Sequence, residues 1–335
     1  MIQLFLKRVA FASCLFGTAL LAATPEVQQG PSSPGATVVA QWKDNKKGVF
    51  LMYFDDSIPS DVRTVVPELQ KHRMVATFYV NPGGAAWRVY RQDWEKNIPA
   101  TGVAVYGNHT MTHQGCKDLI NAEQEIGPVN DIIEHAFPSN KKRLISYGQP
   151  GVPPGKWNIT PQQLAGLLEK YHLILRPHSN SAVTGCKDAN SILALADKAI
   201  ATGTEQDILF HGVGGDWIVF DTGEFIKVLD GLSQRRDALW ITDHISEYQY
   251  DTERKTATVQ LTAATDHEIQ LNLKSDADKN LFDLPLTLIT KVPDSWEKCE
   301  VGQGDMKKTV APTGGRLLYD AAPNGGLISI ERISR

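Results

Sequence analysis

The sequence lacks the features of several protein classes. Its formal net charge is -4 over 335 residues, and no stripe of lysine and arginine interleaved with aromatic residues is present, so nucleic acid is not an expected partner. No Cys-x-x-Cys pair occurs among the four cysteines, so a cysteine zinc site is not indicated. The fractions of hydrophobic residues (42%) and charged residues (21%) are those of an ordinary soluble globular protein.

Residues 1–23 are typical of a secretory signal peptide. Lys7 and Arg8 precede an apolar stretch from Val9 to Leu21, and the small residues Ala22 and Ala23 follow it. The stretch is too short to cross a bilayer comfortably, so we expect no membrane span in the mature chain. We therefore expect a secreted or periplasmic protein. A buried first helix and a lipoprotein anchor are the alternatives.

Three cysteines remain once the signal peptide is removed. Cys116 and Cys186 lie in matching Gly-Cys-Lys-Asp stretches, each after a predicted strand. A disulfide between them would suit an oxidising compartment. Three unpaired thiols are the alternative, and the spacing does not decide between the two.

Residues 45–254 alternate between short apolar strands and amphipathic helices, after a linker over residues 24–44 that is rich in Pro, Gly, Ser and Gln. Seven strand–helix units with short connections predict a parallel sheet covered by helices. We expect a distorted (β/α)7 barrel, because seven units are close to the eight of a closed barrel. A doubly wound sheet is the alternative, but no Gly-x-Gly-x-x-Gly follows the first strand.

The pattern changes near residue 255. Stretches such as His267–Leu273 and Leu284–Val292 alternate apolar and polar residues with a period of two, which predicts strands with one solvated face. We therefore expect a small C-terminal antiparallel β domain over residues 255–335.

Two adjacent acids, Asp55 and Asp56, follow the first apolar strand of the barrel. His109 and His113 follow the third, and their spacing would place them on one face of a helical turn. Sites in α/β folds lie at the carboxyl ends of strands. Two histidines and one carboxylate are a common donor set for a catalytic divalent metal. We therefore predict a metal site at this edge, with two surface histidines as the alternative.

The two acids are expected to act differently. Adjacent residues of a strand point to opposite sides, so one acid can bind the metal while the other stays free as a base. A further residue must protonate the leaving group. His211, at the end of the sixth strand, is the best-placed candidate.

Three stretches resemble signatures of one family, the polysaccharide deacetylases, which are the fourth carbohydrate esterase family. They are Tyr53-Phe54-Asp55-Asp56, His109-Thr110-Met111-Thr112-His113 and Leu209-Phe210-His211-Gly212. The resemblance implies a distorted (β/α) barrel, a bound zinc or similar divalent ion, and hydrolysis of an N- or O-acetyl group on a sugar by metal-activated water. The roles that it implies are metal binding by Asp56, His109 and His113, general base for Asp55, general acid for His211, and an oxyanion contact from the backbone amide near Tyr147.

The chain departs from the family pattern in two places. The family's Arg-x-Pro-Tyr signature has no aligned arginine at the end of the fourth strand, and we hypothesise that Arg176, at the end of the fifth strand, reaches the same site. The Asp-x-x-Asp-Trp signature is also not visible. Asp216 and Trp217, which lie after His211, could supply an acid and an aromatic wall for a sugar. His178 is a further candidate.

Three functions remain open on the sequence. The first is a secreted metal-dependent deacetylase with an acetylated glycan as its substrate. The second is a carbohydrate-binding protein whose deacetylase site has degenerated, and the third is a metal-dependent amidase acting on a non-sugar amide. The sequence does not identify the sugar or the oligomeric state.

Overall fold

The structure, a computed structural model, describes residues 33–177 and 182–333. The predicted signal peptide, the first part of the predicted linker and His178 lie outside the described residues. In the described part of the chain, no helix is both long enough and apolar enough to cross a membrane.

Seven parallel strands form the sheet that carries the candidate site. Strands are numbered along the chain, so β1 (Thr37–Val39) comes before this sheet. The order of the parallel strands is β6-β5-β4-β3-β2-β7, and β8 pairs with the first half of β2. The parallel strands are β2 (Gly48–Asp55), β3 (Ala76–Val80), β4 (Ala104–Asn108), β5 (Ile145–Tyr147), β6 (Leu173–Leu175), β7 (Glu205–Phe210) and β8 (Leu239–Thr242).

This strand order confirms the predicted distorted barrel. Strands β2 to β6 lie side by side in chain order, and β7 returns to pair with β2, as closure of a barrel requires. Within the described residues β6 and β7 end the main path of the sheet, and β8 pairs only with β2. The barrel therefore has a seam between its fifth and sixth strands.

In the part of the chain that the structure describes, seven α-helices accompany the parallel strands, and side-chain caps begin most of the longer ones. Thr160 forms a capping box at the start of α4, and Asp118 and Asp243 cap α3 and α7. Asp221 caps α6. The helices are α1 (Val66–His72), α2 (Ala85–Val89), α3 (Leu119–Ala136), α4 (Pro161–Lys170), α5 (Ala189–Thr202), α6 (Thr222–Gln234) and α7 (His244–Thr256).

The C-terminal strands form two antiparallel sheets, as predicted. One has the order β13-β12-β15-β10-β9, and the other has the order β1-β11-β14. The strands are β9 (Thr258–Ala264), β10 (Glu268–Lys274), β11 (Leu286–Lys291), β12 (Cys299–Gln303), β13 (Met306–Val310), β14 (Arg316–Ala321) and β15 (Leu327–Arg332). The linker prediction is wrong for Thr37–Val39, because this segment pairs with β11.

Alternate residues of β2 belong to two different cores. Phe50 and Phe54 pack in a core shared with the helices. Leu51 belongs to a second core, which continues into the antiparallel sheets through residues such as Leu271 and Leu288. Every residue of β2 is buried, as expected for a strand covered on both faces. The antiparallel sheets therefore cover the face of β2 that the helices leave open.

Cys116, Cys186 and Cys299 are free thiols in the structure. Cys116 and Cys299 are buried, and Cys186 is half-buried. Burial raises the pKa of the Cys299 thiol to about 11, which keeps it protonated at neutral pH. Of the two alternatives left open by the sequence, the structure therefore has the unpaired thiols.

We expect Leu271→Ala to lower the free energy of unfolding by about 2–5 kcal/mol, because the substitution leaves a cavity in the second core. Leu271 is fully buried. Chemical denaturation followed by tryptophan fluorescence measures the change. The matched control is Leu261→Ala, since Leu261 pairs with Leu271 across β9 and β10 but is 45% exposed. Equal effects of the two substitutions would contradict the shared core.

Candidate active site

The two acids at the end of β2 face the same site. The strand ends at Asp55, and the chain turns at Asp56, whose φ of 80° lies in the left-handed region. His109 Nε2 lies 3.6 Å from Asp55 Oδ2 and 3.5 Å from Asp56 Oδ1. The prediction that the two side chains point to opposite sides is therefore wrong, because the turn at Asp56 interrupts the alternation of an extended strand.

Arg176 forms a two-pronged ion pair with Asp55. Its Nη1 donates to Oδ1 at 2.7 Å, and its Nη2 donates to Oδ2 at 3.0 Å. The guanidinium also lies over the ring of Tyr79, 4.0 Å from the ring centroid. Burial of Asp55 opposes its ionisation, but Arg176 and His109 outweigh that effect and lower the pKa of the carboxyl. The structure therefore places Arg176 beside the acids from the fifth strand.

His109 directly follows β4, and its ring is held in one tautomer. Its Nδ1 lies 2.7 Å from the carbonyl oxygen of Gly148, which can only accept a hydrogen bond, so Nδ1 carries the proton. The unprotonated Nε2 then faces the two acids. Burial lowers the pKa of His109, although Asp55 and Asp56 oppose the shift. A neutral imidazole fixed in this way is suited to binding a metal through Nε2.

A loop, not a helix, carries His113. The backbone φ is 64° at Thr110 and 59° at His113, values that a right-handed helix does not contain. The helical turn predicted for this stretch is therefore wrong. The loop still brings His113 Nε2 to 3.4 Å from Asp56 Oδ1.

Asp56, His109 and His113 form a compact donor set, with their ligand atoms all within 4.8 Å of one another. Asp56 Oδ1 is buried and has no hydrogen-bond partner among the described residues, which is costly for a carboxylate oxygen unless a cation lies beside it. The two imidazole nitrogens lie 3.4 and 3.5 Å from this oxygen. Donors that share a tetrahedral zinc lie about 3.4 Å apart. The three residues thus fit a divalent metal.

His211 directly follows β7, at the same edge of the sheet. Its Nε2 lies 3.8 Å from Asp56 Oδ2, and its side chain is 19% exposed. The contact joins it to the acid of the donor set, while the exposed part leaves it accessible from solvent. His211 is therefore placed beside the site without belonging to the compact donor set.

A hairpin after His211 presents Trp217 to solvent. The carbonyl oxygen of Trp217 accepts a hydrogen bond from the Gly212 amide at 2.7 Å, and the side chain is 63% exposed. Asp216 Oδ2 accepts a hydrogen bond from the Ser60 amide at 2.6 Å. Asp216 therefore anchors the hairpin to the segment that follows Asp56.

The backbone near Tyr147 is already hydrogen-bonded. The Gly148 amide donates to the carbonyl of Asn108 at 3.0 Å, and the Tyr147 carbonyl accepts from the Arg176 amide at 2.8 Å. The amide that follows Tyr147 is therefore not free for an oxyanion, contrary to the sequence prediction. The Tyr147 side chain is fully buried.

A family comparison agrees with this arrangement. Residues 43–165 match the family model described as polysaccharide deacetylase. This part of the chain belongs to the polysaccharide deacetylase family. The chain is also similar to a gellan lyase of Bacillus sp, with 22% identity over 347 residues and 90% of this chain covered. This chain spans only 13% of the length of that relative.

The chain is also similar to solved structures of bacterial proteins. A peptidoglycan deacetylase of Bacillus subtilis shares 17% identity, with 63% of this chain and 95% of that chain covered and a TM-score of 0.43. A family 4 carbohydrate esterase of Streptomyces lividans shares 16% identity, with coverages of 58% and 92% and a TM-score of 0.40. A pseudoenzyme of the same family from Bacillus anthracis shares 17% identity, with coverages of 61% and 65% and a TM-score of 0.42.

Two residues that hold the loops of the candidate site were missed by the sequence analysis. The Ser60 amide donates to Asp216, and its hydroxyl accepts from the Val213 amide at 3.2 Å. Glu125 of α3 accepts two hydrogen bonds from Thr112, between the histidines. Glu125 had a signal in the sequence, since it is an acid on the buried stripe of an amphipathic helix. Ser60 had none beyond its place at a helix start.

We expect the folded protein to bind one equivalent of Zn²⁺, and we expect His113→Ala to abolish this binding because it removes one of three donors. Isothermal titration calorimetry measures both. His211→Ala is the matched control, since His211 lies beside the donor set, and it should still bind the ion. Loss of binding in both variants would contradict the three-residue donor set.

Proposed function

We propose that this chain is a secreted, metal-dependent deacetylase that hydrolyses N- or O-acetyl groups on a polysaccharide or oligosaccharide. One observation carries the proposal. At one edge of the barrel, an arginine-paired carboxylate, a three-residue donor set and a half-buried histidine lie within hydrogen-bonding or ion-pairing distance of one another. The predicted signal peptide supports secretion.

In this proposal Asp56, His109 and His113 hold a zinc ion. When bound, the ion would polarise the acyl carbonyl and lower the pKa of water at the site. The chain prepares the donors for this role. The Gly148 carbonyl fixes the His109 tautomer, and the turn at Asp56 aims its buried oxygen at both imidazoles.

Asp55 is the proposed general base. Its lowered pKa keeps it ionised at neutral pH, and each carboxylate oxygen has a second lone pair besides the one that faces Arg176. Arg176 fixes the orientation of the carboxylate through two hydrogen bonds. We therefore assign Arg176 to positioning the base rather than to direct contact with the sugar.

His211 is the proposed general acid. Its Nε2 lies 3.8 Å from Asp56 Oδ2, beside the donor set. From there it can donate a proton to the leaving nitrogen of an N-acetyl group or the leaving oxygen of an O-acetyl group. A base at Asp55 and an acid at His211 would allow both proton transfers within one site.

Trp217 is the proposed contact for the sugar. An exposed aromatic ring beside a polar site is suited to stacking on a pyranose ring. The hairpin that carries Trp217 is fixed to Ser60 through Asp216. Its position relative to Asp56 is thus set before a glycan arrives.

We expect Asp55→Asn to reduce the release of acetate by about 100- to 10,000-fold, because the amide cannot accept the proton. The assay is a screen of acetylated chitin, xylan, peptidoglycan and exopolysaccharide fragments with the wild-type protein, followed by the variant on the best substrate. Zn²⁺ binding, measured in parallel, should be retained. It separates loss of the base from loss of the metal.

The screen also distinguishes the alternative functions. Glycan binding without zinc and without acetate release would support a degenerate carbohydrate-binding protein. Activity confined to small linear or cyclic amides would support a non-sugar amidase. Either result would contradict the proposed deacetylase.

We expect Arg176→Met to move the acid limb of the kcat/KM profile to higher pH by about 1–3 units. In the wild type, Arg176 lowers the pKa of Asp55 against the effect of burial. Without the guanidinium, burial prevails and the base is protonated at higher pH. Rates measured across the pH range test this. Arg235→Met is the control, since Arg235 forms a similar two-pronged pair with Asp197 on the surface, and an unmoved acid limb in Arg176→Met would contradict the role.

A further inference from the structure

The loop between the two histidines has little regular structure of its own. Residues 109–115 lie between β4 and α3, and two of the non-glycine residues among them, Thr110 and His113, have positive φ values. Non-glycine residues in this region cost free energy unless the surroundings enforce the conformation. The contacts that enforce it therefore decide where the His113 ring lies.

Glu125 of α3 makes the main side-chain contact to this loop. Its Oε2 accepts a hydrogen bond from the Thr112 amide at 2.8 Å, and its Oε1 accepts one from the Thr112 hydroxyl at 2.8 Å. Its backbone carbonyl accepts from the Met111 amide at 2.7 Å. One buried residue of a long helix thus holds two consecutive residues of the loop.

The loop has further contacts, but each is local or comes from the backbone. The Thr110 hydroxyl accepts from the His113 amide at 3.3 Å, and Asn108 Oδ1 accepts from the Thr110 amide at 2.9 Å. The Gly83 amide donates to the Met111 carbonyl at 2.7 Å. Of these contacts, only those of Glu125 tie the residue next to His113 to a helix.

Glu125 is not itself part of the donor set, although it is an acid near two metal-binding candidates. The compact set contains Asp56, His109 and His113 alone among the described residues. Both oxygens of Glu125 are already used by Thr112. Its side chain therefore acts on the site through the loop.

We propose that Glu125 is a positioning residue that sets the metal affinity of the Asp56–His109–His113 site by holding the loop that carries His113. The inference rests on the proposed function, because it requires that the donor set binds a metal. Replacing a residue that holds a metal ligand in place by hydrogen bonds typically weakens metal binding by about 10- to 100-fold.

The test measures Zn²⁺ affinity by competition with a chromophoric chelator, using the full chain. We expect Glu125→Gln to weaken Zn²⁺ binding about 10- to 100-fold. The side-chain NH2 group of Gln would face either the amide or the hydroxyl of Thr112, and it cannot accept a hydrogen bond from that group. At saturating Zn²⁺, kcat for acetate release should recover to near the wild-type value. A merely structural role would not give this split between affinity and turnover.

The matched control is Glu123→Gln. Glu123 lies two residues earlier on the same helix and pairs with Lys170 and Tyr171 on the surface. The substitution removes the same charge from α3 without touching the loop, so Zn²⁺ affinity should stay at the wild-type value. Weakening by Glu123→Gln equal to that by Glu125→Gln would overturn the inference.

Thr112→Val provides a second test in case Glu125→Gln does not fold. It removes only the hydroxyl donor and keeps the amide, and we expect a smaller loss of Zn²⁺ affinity in the same direction. If Glu125→Gln folds and binds Zn²⁺ with wild-type affinity, the inference is overturned but the proposed function is not. The same conclusion follows if only Thr112→Val folds and it binds Zn²⁺ with wild-type affinity. Absence of Zn²⁺ binding by the wild type overturns the proposed function and, with it, the inference.

Discussion

Asp55 is buried at the end of a strand beside a second acid, and the guanidinium of Arg176 is what makes that arrangement stable. Two carboxylates this close together are costly to bury unless a cation offsets their charge. Arg176 pairs with Asp55 through Nη1 and Nη2. Asp56 is therefore the acid that still needs a cation. The unpartnered Oδ1 of Asp56 faces the imidazoles for this reason. The proposed separation of base from metal ligand thus depends on one ion pair between the ends of β2 and β6, which have three strands between them.

Much of the barrel could be predicted because its strands are short apolar runs with clear ends. The antiparallel domain was harder, and β12, β13 and β14 were not predicted. Almost the whole of β13 is exposed, so it has no apolar face to reveal its period, and the exposed Leu318 obscures the alternation of β14. The strand β1 has only three half-buried residues and is a strand only because β11 pairs with it. Such segments become strands because they pair with strands distant in the chain, and the local pattern of apolar and polar residues does not indicate this pairing.

The candidate site could also be predicted only in part. The acids and histidines were identifiable because residues of these types stand directly after apolar strands. The local backbone was not, since the left-handed conformations at Asp56, Thr110 and His113 are enforced by contacts from other elements. Arg176 could be named only as a hypothesis, because its reach across the sheet depends on the order of the strands. Glu125 had a signal in the sequence, as an acid on the buried stripe of α3, but its hydrogen bonds to Thr112 had none.

The second core has a consequence for how the chain reaches its native state. One face of β2 is completed by residues of β10, β11 and β15, which are synthesised after all the strands of the barrel. The barrel strands therefore leave the ribosome with an apolar surface that has no cover until these later strands have been made. Contacts so distant in sequence slow folding and prolong the exposure of apolar surface. A chain interrupted before these strands would present that surface to chaperones and proteases, although all the residues of the candidate site had already been made.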